Sequence, residues 1–256
     1  MRPRYWTAFQ TIVTKEVTRF MRIWMQTLLP PAISMSLYFV IFGSLIGPRI
    51  GMMHGFPYIQ YIAPGLIMMS VITNAYANVV SSFFGSKFQK SIEEMLVAPI
   101  PNWVIMSGFI AGGVVRGLFV GLVVTAVALF FTDLHLYSFW ITAIVVLLTS
   151  ILFSLGGLIN GIFAKKFDDI SIIPTFVLTP LTYLGGVFYS IQLLPEFWQG
   201  VSLANPIIYM VNAFRYGILG VSDISVTNAL IVLALCSVAL TVACIMLMNR
   251  GVGIRT

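Results

Sequence analysis

The stretch SSFFGSKFQKSIEEMLVAPIPN, Ser81–Asn102, lies between two long apolar runs and holds Lys87, Lys90, Glu93 and Glu94, in a chain with only 14 Lys+Arg and 8 Asp+Glu. Charge gathered in a short break between uncharged runs marks a loop at a membrane face. If this is such a loop, the runs on either side of it are crossings, and the fold follows.

The rest of the composition agrees. Of 256 residues 59% are hydrophobic and 9% charged, with a mean hydropathy of +0.99, against roughly 25% charged in soluble domains. A hydrocarbon core about 30 Å thick takes about 20 apolar residues per helix. The runs here are continuous and of that length, which excludes a barrel of short alternating strands. The expected fold class is an all-α integral membrane protein. A net charge of +6 does not point to nucleic acid, because the charges sit in loops and tails. Cys236 and Cys244 stand eight residues apart in one helix, roughly 12 Å, too far to pair. His54 and His135 stand alone in short loops, so no metal site is expected.

Hydropathy marks six spans, about Met25–Gly47, Tyr58–Ser81, Ile105–Phe131, Ser138–Ala164, Ile170–Tyr189 and Val226–Met248. Before them, Trp6, Phe9, Val13, Val17, Phe20 and Trp24 recur at helical steps with Lys15, Arg19 and Arg22 opposite. This predicts an amphipathic helix over residues 4–22, lying in the headgroup layer. Six spans put Arg2, Arg4, Lys15, Arg19, Arg22, Lys87, Lys90, Lys165, Lys166, Arg250 and Arg255 on one side, against Arg49 and Arg215 on the other. That asymmetry makes both termini cytoplasmic. The apolar segment NPIIYMVNAFRYGILG, Asn205–Gly220, is short for a seventh span, contains Arg215 and would send Arg250 outside. Residues 190–225 are therefore expected to form a re-entrant or interfacial hairpin on the outer side, either a gate or a packed lid.

Within the third span Gly108, Gly112, Gly113, Gly117 and Gly121 open a close helix contact, inside the chain or across a dimer. Arg116 in the same span admits two placements, snorkelling to the cytoplasm or facing a wet interior. Polar stripes run along the second span (Ser70, Asn74, Asn78, Ser81) and the fifth (Thr175, Thr179, Thr182). They read as helix-to-helix hydrogen bonds or a translocation surface. Asn74, Asn78, Arg116 and Arg215 are thus candidates for the translocation path or gate. The spans contain no Asp, Glu or His, which argues against a proton-coupled carrier.

In the opening loop, Ser91 and Glu94 have capping-box spacing, and Pro99 disfavours helix at Ala98. A short cytoplasmic helix near residues 91–98 is expected, with Ile92, Met95 and Leu96 on one face and Glu93 and Glu94 beside it. It is either a plug for a partner's groove or a turn resting on the bilayer.

The segments SIEEMLVAPIPN and GGVVRG, with TPLTYLGGVFYSIQLLPEFWQGVSLANPIIYMVNAFRYGILG at Thr179–Gly220, resemble the permeases of the ABC-2 type, membrane subunits of ATP-binding-cassette exporters. The likeness covers essentially the whole chain, residues 1–256, as one transmembrane domain. It implies a homodimer in the bacterial inner membrane, joined to a separate ATPase subunit. By that resemblance Ser91, Ile92, Glu93, Glu94, Met95 and Leu96 form the coupling helix, residues 4–22 the connecting helix, and AKKFDD at Ala164–Asp169 a smaller contact. ATP and Mg belong to the partner, and this chain binds no cofactor and catalyses nothing. The sequence agrees in lacking any G-x-x-x-x-G-K-[ST] loop. The implied cargo is an amphipathic molecule, such as a glycolipid, lipid-linked glycan or hydrophobic drug. An ATP-independent carrier or channel is the alternative, and a lipid-acting enzyme would want clustered titratable groups that the loops do not supply.

Overall fold

The computed structural model describes residues 2–253, with side chains from Arg4 onward. Arg255 and the side chain of Arg2, both used in the topological count, lie outside them. Helix α1 (Arg2–Arg22) leads into α2 (Trp24–Ile50), a ribbon of β1 (Met52–Met53) and β2 (Phe56–Pro57), and α3 (Tyr58–Phe88). The short α4 (Ser91–Val97) follows, then α5 (Asn102–Leu129), α6 (Phe139–Phe163), α7 (169–183), α8 (Glu196–Leu203), α9 (Pro206–Leu219) and α10 (Val226–Arg250).

Five helices, α2, α3, α5, α6 and α10, are long and apolar enough to cross a membrane. They match five of the six expected spans to within a few residues at most ends, α3 running on to Phe88. The sixth, Ile170–Tyr189, is not one continuous helix. Its helical part joins Asp169–Ile173, Pro174–Leu178 and Thr179–Tyr183, about 22 Å of rise against a core of about 30 Å. It ends at Tyr183, and in the turn that follows Gly186 takes a φ of +70°, a conformation open to glycine.

Helix α3 is the axis, buried on most of its circumference and packed on α5, α6 and α9. The glycines of α5 serve three neighbours, α1, α3 and α6. A Cβ on Gly112 would lie 2.5 Å from Cβ of Glu16 on α1, and one on Gly113 would lie 2.5 Å from Val79 of α3. The small-residue spacing thus builds contacts within the chain. On the outside of α2, Leu29, Ile33 and Leu37 are exposed, as are Leu235, Val238 and Val242 of α10, as lipid-facing rows require.

The N-terminal helix differs from the expected picture in which side it buries. Ile12, Glu16 and Phe20 face the bundle, while Trp6 and Trp24 are exposed. Bundle packing selects a row at four-residue steps, and the two tryptophans are left exposed.

Candidate functional site

The short helix α4 is positioned by the turn before it. Helix α3 runs on to Phe88, so only Gln89 and Lys90 remain, and Lys90 turns the chain with a φ of 59°. The expected capping box does not form. Lys90 is the N-cap, Ser91 is already helical, and its hydroxyl donates to the Ser86 carbonyl at 3.1 Å, one of the end carbonyls α3 leaves open. The other end is as expected: α4 closes at Val97, with Ala98 extended before Pro99.

Ile92 is buried in a cluster with Ile12, Phe83, Ile105, Met106 and Phe109, and Met95 and Leu96 pack against it. The apolar face of α4 is therefore used within the chain. What it turns outward is Glu93, Glu94 and Val97, the last 87% exposed. A groove of about 590 Å³ runs between α1 and this segment, lined by Ala8, Thr11, Ile12, Met95 and Ile100 among others. In the second loop, the amides of Lys165 and Lys166 donate to Asp169 at 2.8 and 2.9 Å and hold its carboxyl below the usual range. Lys87 closes the end of α6 by donating to the carbonyls of Ile162 and Ala164 at 2.7 and 2.8 Å.

Above α4, α1 is clamped to α3 by charge. Glu16 is 0% exposed and accepts from Ser82 Oγ at 2.6 Å and from Arg19 at 3.2 Å. Arg19 also donates to Oδ1 and the carbonyl of Asn78, at 2.8 and 3.0 Å. The polar edge of α3 is thus Ser70, Asn74, Asn78, Ser82 and Ser86, all buried. Ser81, expected on that stripe, bonds back to the Ala77 carbonyl instead, because a four-residue step from Asn78 lands on Ser82.

One turn further along α3, Asn74 Oδ1 accepts from Arg116 at 3.2 Å. Arg116 sits near the midpoint of the 28-residue α5 and turns toward α3. Both residues line a cavity of about 410 Å³ between α2, α3 and α5.

Arg215 lies elsewhere. Asn205 caps α9 by accepting from the Ile207 amide, Pro206 opens the helix and Gly220 closes it at φ 76°, a pattern legible in the sequence. On α9, Arg215 is 0% exposed, donates to the carbonyls of Gly186 (2.6 Å) and Tyr61 (3.3 Å), and lies 4.0 Å over the Tyr61 ring. Nearby, His54 does not stand alone. Its Nε2 is 3.2 Å from Asp223 Oδ1, and Asp223 also accepts from Ser190 Oγ at 2.8 Å and the Ile191 amide at 3.1 Å. This knot ties the β-ribbon, the start of the 190–225 segment and the loop after α9. No cluster of three or more metal-ligating side chains occurs among the described residues.

The profile of the ABC-2 type transporter family matches residues 7–219. The chain belongs to this family. It is 62% identical over 252 residues, 98% of each chain, to the inner membrane transport permease YadH of Escherichia coli K12. Nodulation protein J of Rhizobium leguminosarum bv. viciae is 24% identical over 185 residues, 72% of this chain and 71% of the relative. That of Rhizobium meliloti is 23% identical over 189 residues, again 72% and 71%.

Among the candidate residues, this ABC-2 chain brings Asn74 and Arg116 together at one cavity. Asn78 belongs to the clamp, and Arg215 to the packing of the far end. Tyr61 precedes Asn74 by thirteen residues, about 20 Å of helix. Glu16 went unread in the sequence, although it occupies the middle of the row Ile12, Glu16, Phe20, where an apolar side chain is expected. The Ser190, His54 and Asp223 knot carried no sequence signal, since its members come from distant segments.

Proposed function

We propose that this chain is the membrane-spanning half of an ATP-driven exporter of the inner membrane. In this reading two copies join two copies of a separate ATPase, which holds ATP and Mg, and move an amphipathic substrate outward. Residues 170–189 make the sixth crossing, both termini are cytoplasmic, and residues 190–225 form the outer hairpin. The inner-membrane permease named among its relatives supports the location.

The observation that carries the proposal is the two-sidedness of α4. Its apolar side is anchored through Ile92 to α1, α3 and α5, while Glu93, Glu94 and Val97 face away from the bundle. A partner that pushes on the acidic edge moves an anchored lever rather than a loose loop. The motion passes to α1, whose Glu16 and Arg19 grip Ser82 and Asn78 of α3, one turn from Asn74 and the Arg116 cavity. Carboxylates on an exposed edge suit a basic rim on the ATPase and steer docking in a salt-dependent way.

Purification from the native membrane in mild detergent should return a P-loop ATPase in equimolar amount. Glu93→Lys with Glu94→Lys should abolish that association and the ATP hydrolysis it stimulates, leaving the chain folded. A double variant that still assembles and stimulates ATP hydrolysis removes the coupling role of these carboxylates. A wild-type chain that purifies alone and transports in ATP-free proteoliposomes overturns the exporter itself.

A further inference from the structure

The cavity between α2, α3 and α5 has two unlike walls. On one, Arg116 has the neutral amide of Asn74 as its hydrogen-bond partner, and its Nε is buried with none. Neither ion pair among the described residues involves it. A guanidinium whose hydrogen-bond partner is a neutral amide has no carboxylate paired with it, and its planar fork matches phosphate or carboxylate oxygens.

The other wall belongs to α2. Pro30 and Pro31 lie inside that helix and have no amide to give, so the Gln26 and Thr27 carbonyls lose the partners four residues on. Both residues line the cavity, with the hydroxyl-bearing Ser34 and Tyr38 of α2 and, on the facing edge, Thr73 of α3. This wall accepts hydrogen bonds from hydroxyl or ammonium groups next to an anion. Gln26, Pro30, Ser34 and Thr73 are exposed, so the cavity opens to the bundle surface. Beside it α2 presents Leu29, Ile33 and Leu37 outward, a track for an acyl chain. About 410 Å³ suits a head group and not a whole lipid.

We infer that this cavity binds the anionic head, a phosphate or carboxylate, of an amphiphile, with Arg116 as its counter-ion and the tail left along α2. The inference rests on the permease reading for its cargo, but its test needs no ATPase.

The full chain, purified in neutral maltoside detergent, is titrated with radiolabelled dodecyl phosphate in a scintillation proximity assay. Saturable binding is expected, weakened at least tenfold by Arg116→Gln and less by Arg116→Lys. Thr73→Trp, which fills the cavity and leaves the charge in place, should also remove it. Each variant is first required to elute as a single species, and Arg49→Gln, outside the cavity, should bind as the wild type does. Excess dodecanol and excess inorganic phosphate should fail to displace the label. Equal binding by Arg116→Gln and the wild type, or displacement by dodecanol, overturns the proposal. Displacement by inorganic phosphate as effective as by dodecyl phosphate overturns its amphiphile part, since the site then reads a free anion. Binding found without any co-purifying ATPase leaves this site standing while the exporter fails, and the converse result separates them equally well.

Discussion

Glu16→Ala should detach α1 from the bundle. Oε1 of Glu16 accepts the Ser82 hydroxyl at 2.6 Å in a fully buried setting, and a hydrogen bond to a charged group there is worth about 1.5–3 kcal/mol. The pair with Arg19 at 3.2 Å adds less, because the arginine side chain is 30% exposed and its attraction is screened to about 1 kcal/mol or below. Truncation therefore costs about 3 kcal/mol, a factor of about 150 in the opening equilibrium. Amide hydrogen exchange over residues 12–20 reads that equilibrium directly, and those amides should exchange about 150-fold faster while the core of α3 is unchanged. Arg19→Gln should also speed exchange, because it leaves the Glu16 carboxylate buried with one donor. The double variant should cost less than the two single costs added, since each single change strands the other partner. Exchange within threefold of the wild type in Glu16→Ala, or strict additivity of the two changes, would refute the clamp.

Two further predictions test the packing. Gly112→Ala places a Cβ 2.5 Å from Cβ of Glu16 and should destabilise by about 1–3 kcal/mol through overpacking. Gly85→Ala, with nothing within 4 Å, should be neutral or stabilising by up to about 1 kcal/mol, so equal melting temperatures for the two variants would sink the close-contact reading. Arg215→Met takes the donor from the Gly186 carbonyl and loosens the hold on Tyr61, and a buried acceptor left without its donor costs about 1–3 kcal/mol. Arg215→Lys should recover only part, lacking the fork, and limited proteolysis of the 190–225 segment measures both.

The three sites lie along α3 in a mechanical order. The Arg215 and Asp223 knot grips one end near Tyr61, Arg116 meets the middle at Asn74, and the α1 clamp and α4 hold the other end at Asn78, Ser82 and Ser86. Helix α3 runs for 31 residues with Pro64 inside it, and the missing amide there loosens the ladder between Tyr61 and Asn74, whereas no proline separates Asn74 from the α1 clamp.

Some of this was legible because it depends on local chemistry. Crossing lengths follow from apolar run length, the end of α4 from Pro99, and the inward glycines from small-residue spacing. The α9 caps were equally local, with Asn205, Pro206 and Gly220 in plain order, and went unused because the segment was weighed as a span. Other features were out of reach. Whether Ser91 caps or continues a helix depends on how far α3 runs, and the side of α1 that packs depends on which row meets the α5 glycines.

Legible without any tertiary contact were the membrane class, five of the helices long enough to cross, the amphipathic N-terminal helix and the short helix after the second long apolar run. These rest on transfer free energies and backbone rules that each segment carries alone. Only the tertiary structure decided that Glu16 is buried, that α4 shows carboxylates and hides its apolar face, that Arg116 turns inward to Asn74, and that His54 meets Asp223. Each is a meeting of side chains from separate segments, and the energy of such a meeting exists only once the helices are packed.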